Sequence, residues 1–146
     1  MCGIVGMWNF DGKKLNSVEL DQFTDSLRHR GPDGRGTYID KKASLGLGHR
    51  RLSILDLTDS GHQPMSYGDG KYWITYNGEI YNYLDFGDYK TDGHVLIDLY
   101  KEHGIEFTKL LDGEFAICLI DFKNNLKTKI TKANEDLKKF EFKFRV

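Results

Sequence analysis

Residues 113–122 read Gly113-Glu114-Phe115-Ala116-Ile117-Cys118-Leu119-Ile120-Asp121-Phe122, a nearly continuous apolar run. Its length and aliphatic character predict a strand buried on both faces. It falls well short of the roughly 18 apolar residues that a membrane span needs, as does every other apolar run here. A strand of that kind needs cover on two sides. The remaining sequence offers several strands and two main helices, which predicts an α+β fold with helices packed on sheets.

The strands come first and last. Residues 3–10 read as a strand ending at the turn Asp11-Gly12. Asn16 and Glu19 have capping-box spacing ahead of a helix whose face is Leu20, Phe23 and Leu27. Arg28, His29 and Arg30 suit the negative end of that helix, and Gly31 is its expected stop. Residues 36–40 and 44–52 read as paired strands, residues 56–67 as an ordered loop, and residues 71–80 as a strand. On that strand Tyr72, Ile74 and Tyr76 share one face, and Trp73 and Thr75 share the other. Thr91 is the expected N-cap of a second helix, with Val95, Leu96, Leu99 and Tyr100 as its apolar stripe and Gly104 as its end. A short helix over residues 105–111 precedes the buried strand. Residues 127–131 suit one more strand, and residues 134–146 a frayed helix or a tail.

Charge divides the chain. The net charge is −1. Residues 123–146 hold eight basic and three acidic residues, a net +5 that leaves −6 on the first 122. The balance gives no general attraction to nucleic acid or membrane, and the basic end is best read as a solvated surface element. The two cysteines, Cys2 and Cys118, make no disulfide framework, so a reducing cytoplasm is expected. Cys118 lies within the apolar run and is expected to be a core residue. The N-terminus lacks the basic and apolar segments of a signal peptide.

Cys2 follows the initiator methionine directly. Removal of Met1 would leave a cysteine carrying both a thiol and a free α-amine. An α-amine has a reference pKa of roughly 7.7–8.0, so it can take the proton of the neighbouring thiol, whose reference value is about 8.5. An N-terminal amine activating its own side chain is an established route to a nucleophile. Gly3 leaves room for close backbone approach, and Ile4-Val5 starts a strand that holds the terminus.

Cys2 alone is weak evidence, but it has companions in a fixed order. These are Met1-Cys2-Gly3-Ile4-Val5-Gly6, His29-Arg30-Gly31-Pro32-Asp33-Gly34, Gly48-His49-Arg50-Arg51-Leu52-Ser53-Ile54 and Asn77-Gly78-Glu79-Ile80-Tyr81-Asn82. Gly61-His62-Gln63-Pro64-Met65 and Leu111-Asp112-Gly113-Glu114-Phe115-Ala116 add to them. Together they resemble the class II glutamine amidotransferase domain, as found in the N-terminal half of glutamine-hydrolysing asparagine synthetases. The resemblance covers residues 2–122, leaving residues 123–146 as a lysine-rich tail of unrecognised type. It implies an N-terminal-nucleophile hydrolase fold, a four-layer sandwich of two antiparallel sheets between helical layers, truncated at its C-terminal end.

The resemblance also implies a reaction, cleavage of the side-chain amide of L-glutamine through a thioester on Cys2, with release of ammonia. Asn77 and Gly78 would supply oxyanion donors, a side-chain and a backbone N–H respectively. By residue type alone Asn77-Gly78 is equally a hairpin turn. Arg51 can fork a carboxylate and would hold the α-carboxylate, with the backbone of Leu52 and Ile54 lining the pocket. Glu79 and Asp92 match positions that face the α-ammonium. On residue type alone Arg51 also suits a surface ion pair, and Asp92 a first-turn acid favoured by the helix dipole. His49, His62 and His94 lack ligand spacing, and no metal is expected. Glutamine hydrolysis is expected to need no cofactor.

The chain departs from the family pattern at three points. The link between Tyr83 and Thr91 is short, which leaves the helix carrying Asp92 open to repositioning. His94 stands where the family often has Glu, so Thr91 and His94 cannot form a capping box. After Phe122 there is neither the usual Arg-Asp…Gly…Pro-Leu-Tyr stretch nor a Ser-Gly-Gly-x-Asp-Ser pyrophosphate loop. ATP and magnesium are therefore implied only for a synthetase domain that this sequence lacks, or for a separate ATP-dependent synthetase subunit. Three functions are compatible with this sequence: an ammonia-supplying glutaminase of the asparagine-synthetase type, an amidotransferase subunit serving another acceptor, or a non-catalytic module that only binds a partner.

Overall fold

A computed structural model describes residues 2–40, 42, 44–54, 58, 61–123, 126–132 and 142–145. Among the described residues eight strands form two four-stranded sheets. The first has the order β2 (Gly34–Ile39), β3 (Leu45–Arg51), β1 (Gly3–Trp8), β8 (Phe142–Arg145). The second has the order β4 (Met65–Tyr67), β5 (Tyr72–Ile80), β6 (Gly113–Asp121), β7 (Leu126–Lys132). Pairing is antiparallel throughout the second sheet and across β2-β3-β1 of the first; β8 joins β1 in parallel.

Strand alternation sorts the side chains into three core layers. Val5 and Met7 of β1 pack with Leu20 of helix α1 (Ser17–Ser26) and with Leu27 just beyond it. Between the sheets lie Leu45 and Leu47 of β3, Cys118 and Ile120 of β6, and the stacked rings of Tyr38 and Trp73 with centroids 3.5 Å apart. On the far face Ile74, Tyr76, Ile117 and Leu119 meet Val95, Leu96 and Leu99 of helix α2 (Val95–His103). The order helix, sheet, sheet, helix is the four-layer sandwich expected from the sequence.

The apolar run over residues 113–122 forms β6, buried on both sides, and burial pushes the pKa of the Cys118 thiol up to about 12. Small residues let α1 settle closely on the first sheet. A Cβ on Gly48 would come within 2.1 Å of the Thr24 hydroxyl oxygen. A Cβ on Gly3 would lie 2.8 Å from Leu27 Cβ, so the room at Gly3 serves a side chain rather than a passing backbone.

Several local expectations give way to tertiary contacts. Helix α1 ends at Ser26, two residues before Arg28, and the chain proceeds to Arg30 through tight turns. Arg30 is used elsewhere: its Nε donates to the Cys2 carbonyl at 3.2 Å. Asn16 caps α1 as expected, accepting from Val18 N–H at 2.9 Å. Thr91 has cap-like dihedrals but makes no side-chain cap bond, and a 3-10 turn, Asp92–His94, comes before α2. The stretch expected to be a loop contains the short strand β4. Strand β7 falls on the residues expected to form it. Residues 142–145 are strand where a helix or tail was expected, and residues 133–141 lie outside those described. No helix among the described residues is long and apolar enough to cross a membrane.

Candidate active site

One cavity of about 220 Å³ opens at the end of the sandwich and is lined by Cys2, Arg51, Leu52, Ile54, Asn77, Gly78, Glu79 and Asp92, among others. All eight residues singled out from the sequence therefore face the same space. The cavity lies just below the roughly 300–1,000 Å³ of drug-sized ligand sites, a size that suits an amino acid.

Cys2 sits at the entry to β1, half-buried. The next residue, Gly3, pairs with Arg50 on β3, so the sheet register fixes where the thiol lies. Leu52 N–H donates to Cys2 Sγ at 3.3 Å, while the thiol lies 3.7 Å from the Leu52 carbonyl. The sulfur is thus laid along the Leu52 peptide. Gly31 sits so near β3 that a Cβ there would fall 2.3 Å from the Arg50 carbonyl, and this close approach brings Arg30 to the Cys2 carbonyl. Asp33 orders the loop after β3 by accepting from Ser53 N–H at 2.8 Å.

Arg51 ends β3, and its Nη1 donates to the Thr58 carbonyl at 2.6 Å. Gly61 makes room for the guanidinium: a Cβ there would lie 2.2 Å from Nη2. Arg51 therefore reaches the cavity with one side braced by the following loop.

The other wall belongs to β5. Alternation sends Tyr76 toward α2 and Asn77 toward the first sheet. Asn77 is 4% exposed, and its side-chain oxygen has no hydrogen-bond partner among the described residues. A buried acceptor left unmet costs about 1–3 kcal/mol, and Thr75 Oγ1 on the same face of β5 is unmet among the described residues as well. Gly78 has φ of 150°, and a Cβ there would lie 2.1 Å from the Glu114 carbonyl oxygen of β6. Only glycine fits that turn of the strand. The ladder continues through it, with Gly78 opposite Phe115. Asn77-Gly78 is consequently not a hairpin turn.

Asp92 opens the 3-10 turn before α2, and the short link from Tyr83 does not carry it out of the cavity. Its Oδ2 accepts from the Tyr76 hydroxyl at 2.5 Å and from Ile80 N–H at 3.0 Å. Glu79 is exposed at the rim and stands directly opposite Glu114 across the β5–β6 ladder; both carboxylates line the cavity. Arg51 and the acids Glu79, Glu114 and Asp92 thus offer both signs of charge in one space, as an amino-acid zwitterion requires.

Sequence reading missed three contributors. Glu114 stands in the motif Leu111-Asp112-Gly113-Glu114-Phe115-Ala116, but its place in the cavity follows from strand register. Tyr76 reads as an ordinary core residue, yet its hydroxyl lies in the cavity wall; burial foremost, then the charges of Asp92, Glu79 and Cys2, push its pKa up. Gln63 accepts from Tyr76 N–H at 2.6 Å through Oε1 and steadies β5 from the side. Its presence within Gly61-His62-Gln63-Pro64-Met65 was the only sequence signal. His49 is buried between the sheets, where its Nε2 hydrogen-bonds the Tyr76 carbonyl at 3.2 Å, and burial lowers its pKa to about 3. It is a neutral structural imidazole. Among the described residues no group of three or more His, Cys, Asp or Glu is arranged to hold a metal ion.

Comparison with known proteins agrees with this architecture. Residues 1–131 match the family model described as a glutamine amidotransferase domain. A protein of Methanocaldococcus jannaschii, provisionally named asparagine synthetase (glutamine-hydrolyzing) 2, is 38% identical over 86% of this chain and 29% of its own. The amidase chry2 of Gibberella zeae is 36% identical over 83% of this chain and 21% of its own. The asparagine synthetase (glutamine-hydrolyzing) 1 of Bacillus subtilis is 38% identical over 82% of this chain and 20% of its own. The chain spans between a fifth and three-tenths of the length of these curated relatives. Matched over most of its length and built on the expected sandwich, the chain belongs to the glutamine amidotransferase domain family.

Proposed function

We propose that this chain is the ammonia-supplying unit of an asparagine-synthetase-type amidotransferase, hydrolysing L-glutamine through a thioester on Cys2. The observation that carries this reading is the shared cavity. A thiol from the entry to β1, a cation from the end of β3 and a buried side-chain amide from β5 meet in it, with three carboxylates. No single element brings them together.

The chemistry follows from the positions. With Met1 removed, the α-amine of Cys2 takes the thiol proton, and the thiolate attacks the side-chain carbonyl carbon of glutamine. Negative charge develops on the carbonyl oxygen, where Asn77 Nδ2 and Gly78 N–H stabilise it. The amine returns its proton to the departing nitrogen, ammonia leaves, and water then hydrolyses the thioester to glutamate. Arg51 pairs with the α-carboxylate beside the Leu52 and Ile54 backbone. Asp92 and Glu79 receive the α-ammonium. The cycle needs no cofactor and suits a reducing cytoplasm. ATP and magnesium belong to the synthetase that consumes the ammonia, on a further domain or a separate subunit. The chry2 name, amidase, shows that relatives of this domain are not all named for one product. The acceptor is therefore assigned to the partner rather than to this cavity.

The test is to incubate the purified chain with glutamine, aspartate, ATP and magnesium, and to assay glutamate and asparagine separately. Intact mass should show Met1 absent. Glutamate without asparagine is expected. Asparagine formed by this chain alone would contradict the division of labour. No glutamate from a chain lacking Met1, at any pH or glutamine concentration, would favour a non-catalytic binding module instead.

A further inference from the structure

Asp92 is not held in the cavity by the element that carries it. It lies in a short 3-10 turn, outside α2, with no side-chain cap at that turn. What fixes its carboxylate is β5, through the Tyr76 hydroxyl at 2.5 Å and Ile80 N–H at 3.0 Å, both on Oδ2. Oδ1 accepts no hydrogen bond among the described residues, while Asp92 lines the cavity. One oxygen is therefore anchored twice, and the other takes no hydrogen bond from the described residues.

Tyr76 is itself tightly fixed. It is 4% exposed; its N–H donates to Gln63 Oε1 at 2.6 Å, and its carbonyl accepts from His49 at 3.2 Å. It also directly precedes Asn77. We propose that Tyr76 is a positioning residue that sets Asp92 Oδ1 to receive the α-ammonium of the substrate. It thereby gauges the distance between the amino end of glutamine and the amide that reacts at Asn77. This rests on the glutamine reading above and adds a residue to it. The raised pKa of Tyr76 fits, since burial and the neighbouring carboxylate keep the hydroxyl protonated and therefore a donor. The device also accounts for the tolerance of a short link before Asp92, because the acid takes its place from β5 rather than from the preceding loop.

The test compares two substrates: glutamine and 4-carbamoylbutanoate, which keeps the carboxylate and the amide but has no α-amine. Tyr76→Phe keeps the ring and removes only the hydroxyl. The wild-type protein lacking Met1 should prefer glutamine. In Tyr76→Phe, KM for glutamine should rise about tenfold, the size of one lost hydrogen bond to a charged group, with kcat changed much less. The analogue should be turned over as before, so the ratio of the two kcat/KM values falls, whatever fraction of the variant is folded. Asp92→Asn should lower the same ratio, and adding Tyr76→Phe to it should lower it little further. Equal losses for glutamine and analogue, or effects of the two substitutions that simply add, would overturn the role of Tyr76 while leaving glutaminase activity standing. A wild-type chain that turns over neither substrate, with a Cys2→Ala variant that binds no glutamine in calorimetry, would overturn the functional reading itself.

Discussion

The two walls of the cavity are built differently. The β5 wall, bearing Asn77, Gly78 and Glu79, is locked into an antiparallel ladder with β6 and tied to the first sheet by His49 and to the side loop by Gln63. The opposite wall, Arg51 to Ile54, runs off the end of β3; its bonds include Ser53 N–H to the Asp33 carboxylate, Asp33 N–H to the Arg51 carbonyl, Arg51 to the Thr58 carbonyl and Leu52 N–H to the Cys2 sulfur. Ile54 is 71% exposed, whereas Asn77 is 4% exposed. The groups assigned to the developing charge sit on the rigid wall, where misplacement is costly; the groups assigned to the substrate carboxylate sit on the adaptable one. Loss of the Asn77 amide on the first wall should therefore appear in kcat, and loss of Arg51 on the second in KM.

The largest effect should come from the rigid wall. Asn77→Ala should lower kcat by ~10²–10³-fold with a small change in KM, as for loss of one oxyanion donor. Steady-state glutamate release checks this, and a pure KM effect would erase the distinction between the walls. Arg51→Ala on the other wall should raise KM for glutamine by about 10–100-fold with kcat largely kept, because it grips an end of the substrate that does not react. An unchanged KM would remove Arg51 from the substrate site.

A third outcome concerns what stiffens the β5 wall. The folded-state pKa of His49 is lowered to about 3 from a reference of 6.5. Between those values the unfolded chain binds the proton that the folded chain refuses, so stability rises with pH and is lost as pH falls. The slope from this one group approaches about 1.4 kcal/mol per pH unit at its steepest. Denaturant titrations from pH 7 to pH 4 should show that loss, and His49→Gln should flatten it. The smallest effect belongs to the loop wall. Gly61→Ala places a methyl against Arg51 Nη2, the far end of a flexible side chain. KM should rise a few-fold while the thermal midpoint hardly moves; a large drop in the midpoint would mean that the loop wall is as rigid as the strand.

The strands and helices were legible because hydrophobic period and turn chemistry act locally; their stacking into four layers was implied by the family resemblance. The buried β6, the two faces of β5 and the stripe on α2 all follow from residue order. Seven of the eight residues predicted from the sequence lie in the ordered motifs, and Asp92 was matched by its position in the family pattern; residue type alone left Cys2, Arg51 and Asn77-Gly78 open to plainer readings. Glu114 and Tyr76 escaped for a different reason. Glu114 meets Glu79 only through a strand pairing made across more than thirty residues of chain, and a tyrosine in a core-facing row gives no sign of where its hydroxyl ends. Helix ends were misread for a related reason. Arg30 suits a helix terminus by charge, but its bond to the Cys2 carbonyl draws it out of the helix. Local preference is worth tenths of a kcal/mol, and tertiary contacts override it.

Nucleophilic attack by Cys2 is tested most directly with a glutamine analogue carrying a diazoketone in place of the amide. The Cys2 sulfur displaces dinitrogen and keeps the remainder as a stable thioether, which peptide mass spectrometry locates. Cys118, buried and with its thiol pushed up to about 12, is the internal control. The account predicts one label per chain, on Cys2, in protein lacking Met1, slowed by free glutamine and absent in Cys2→Ala. Cys2 left unlabelled in folded protein lacking Met1, or labelling that free glutamine does not slow, would contradict it.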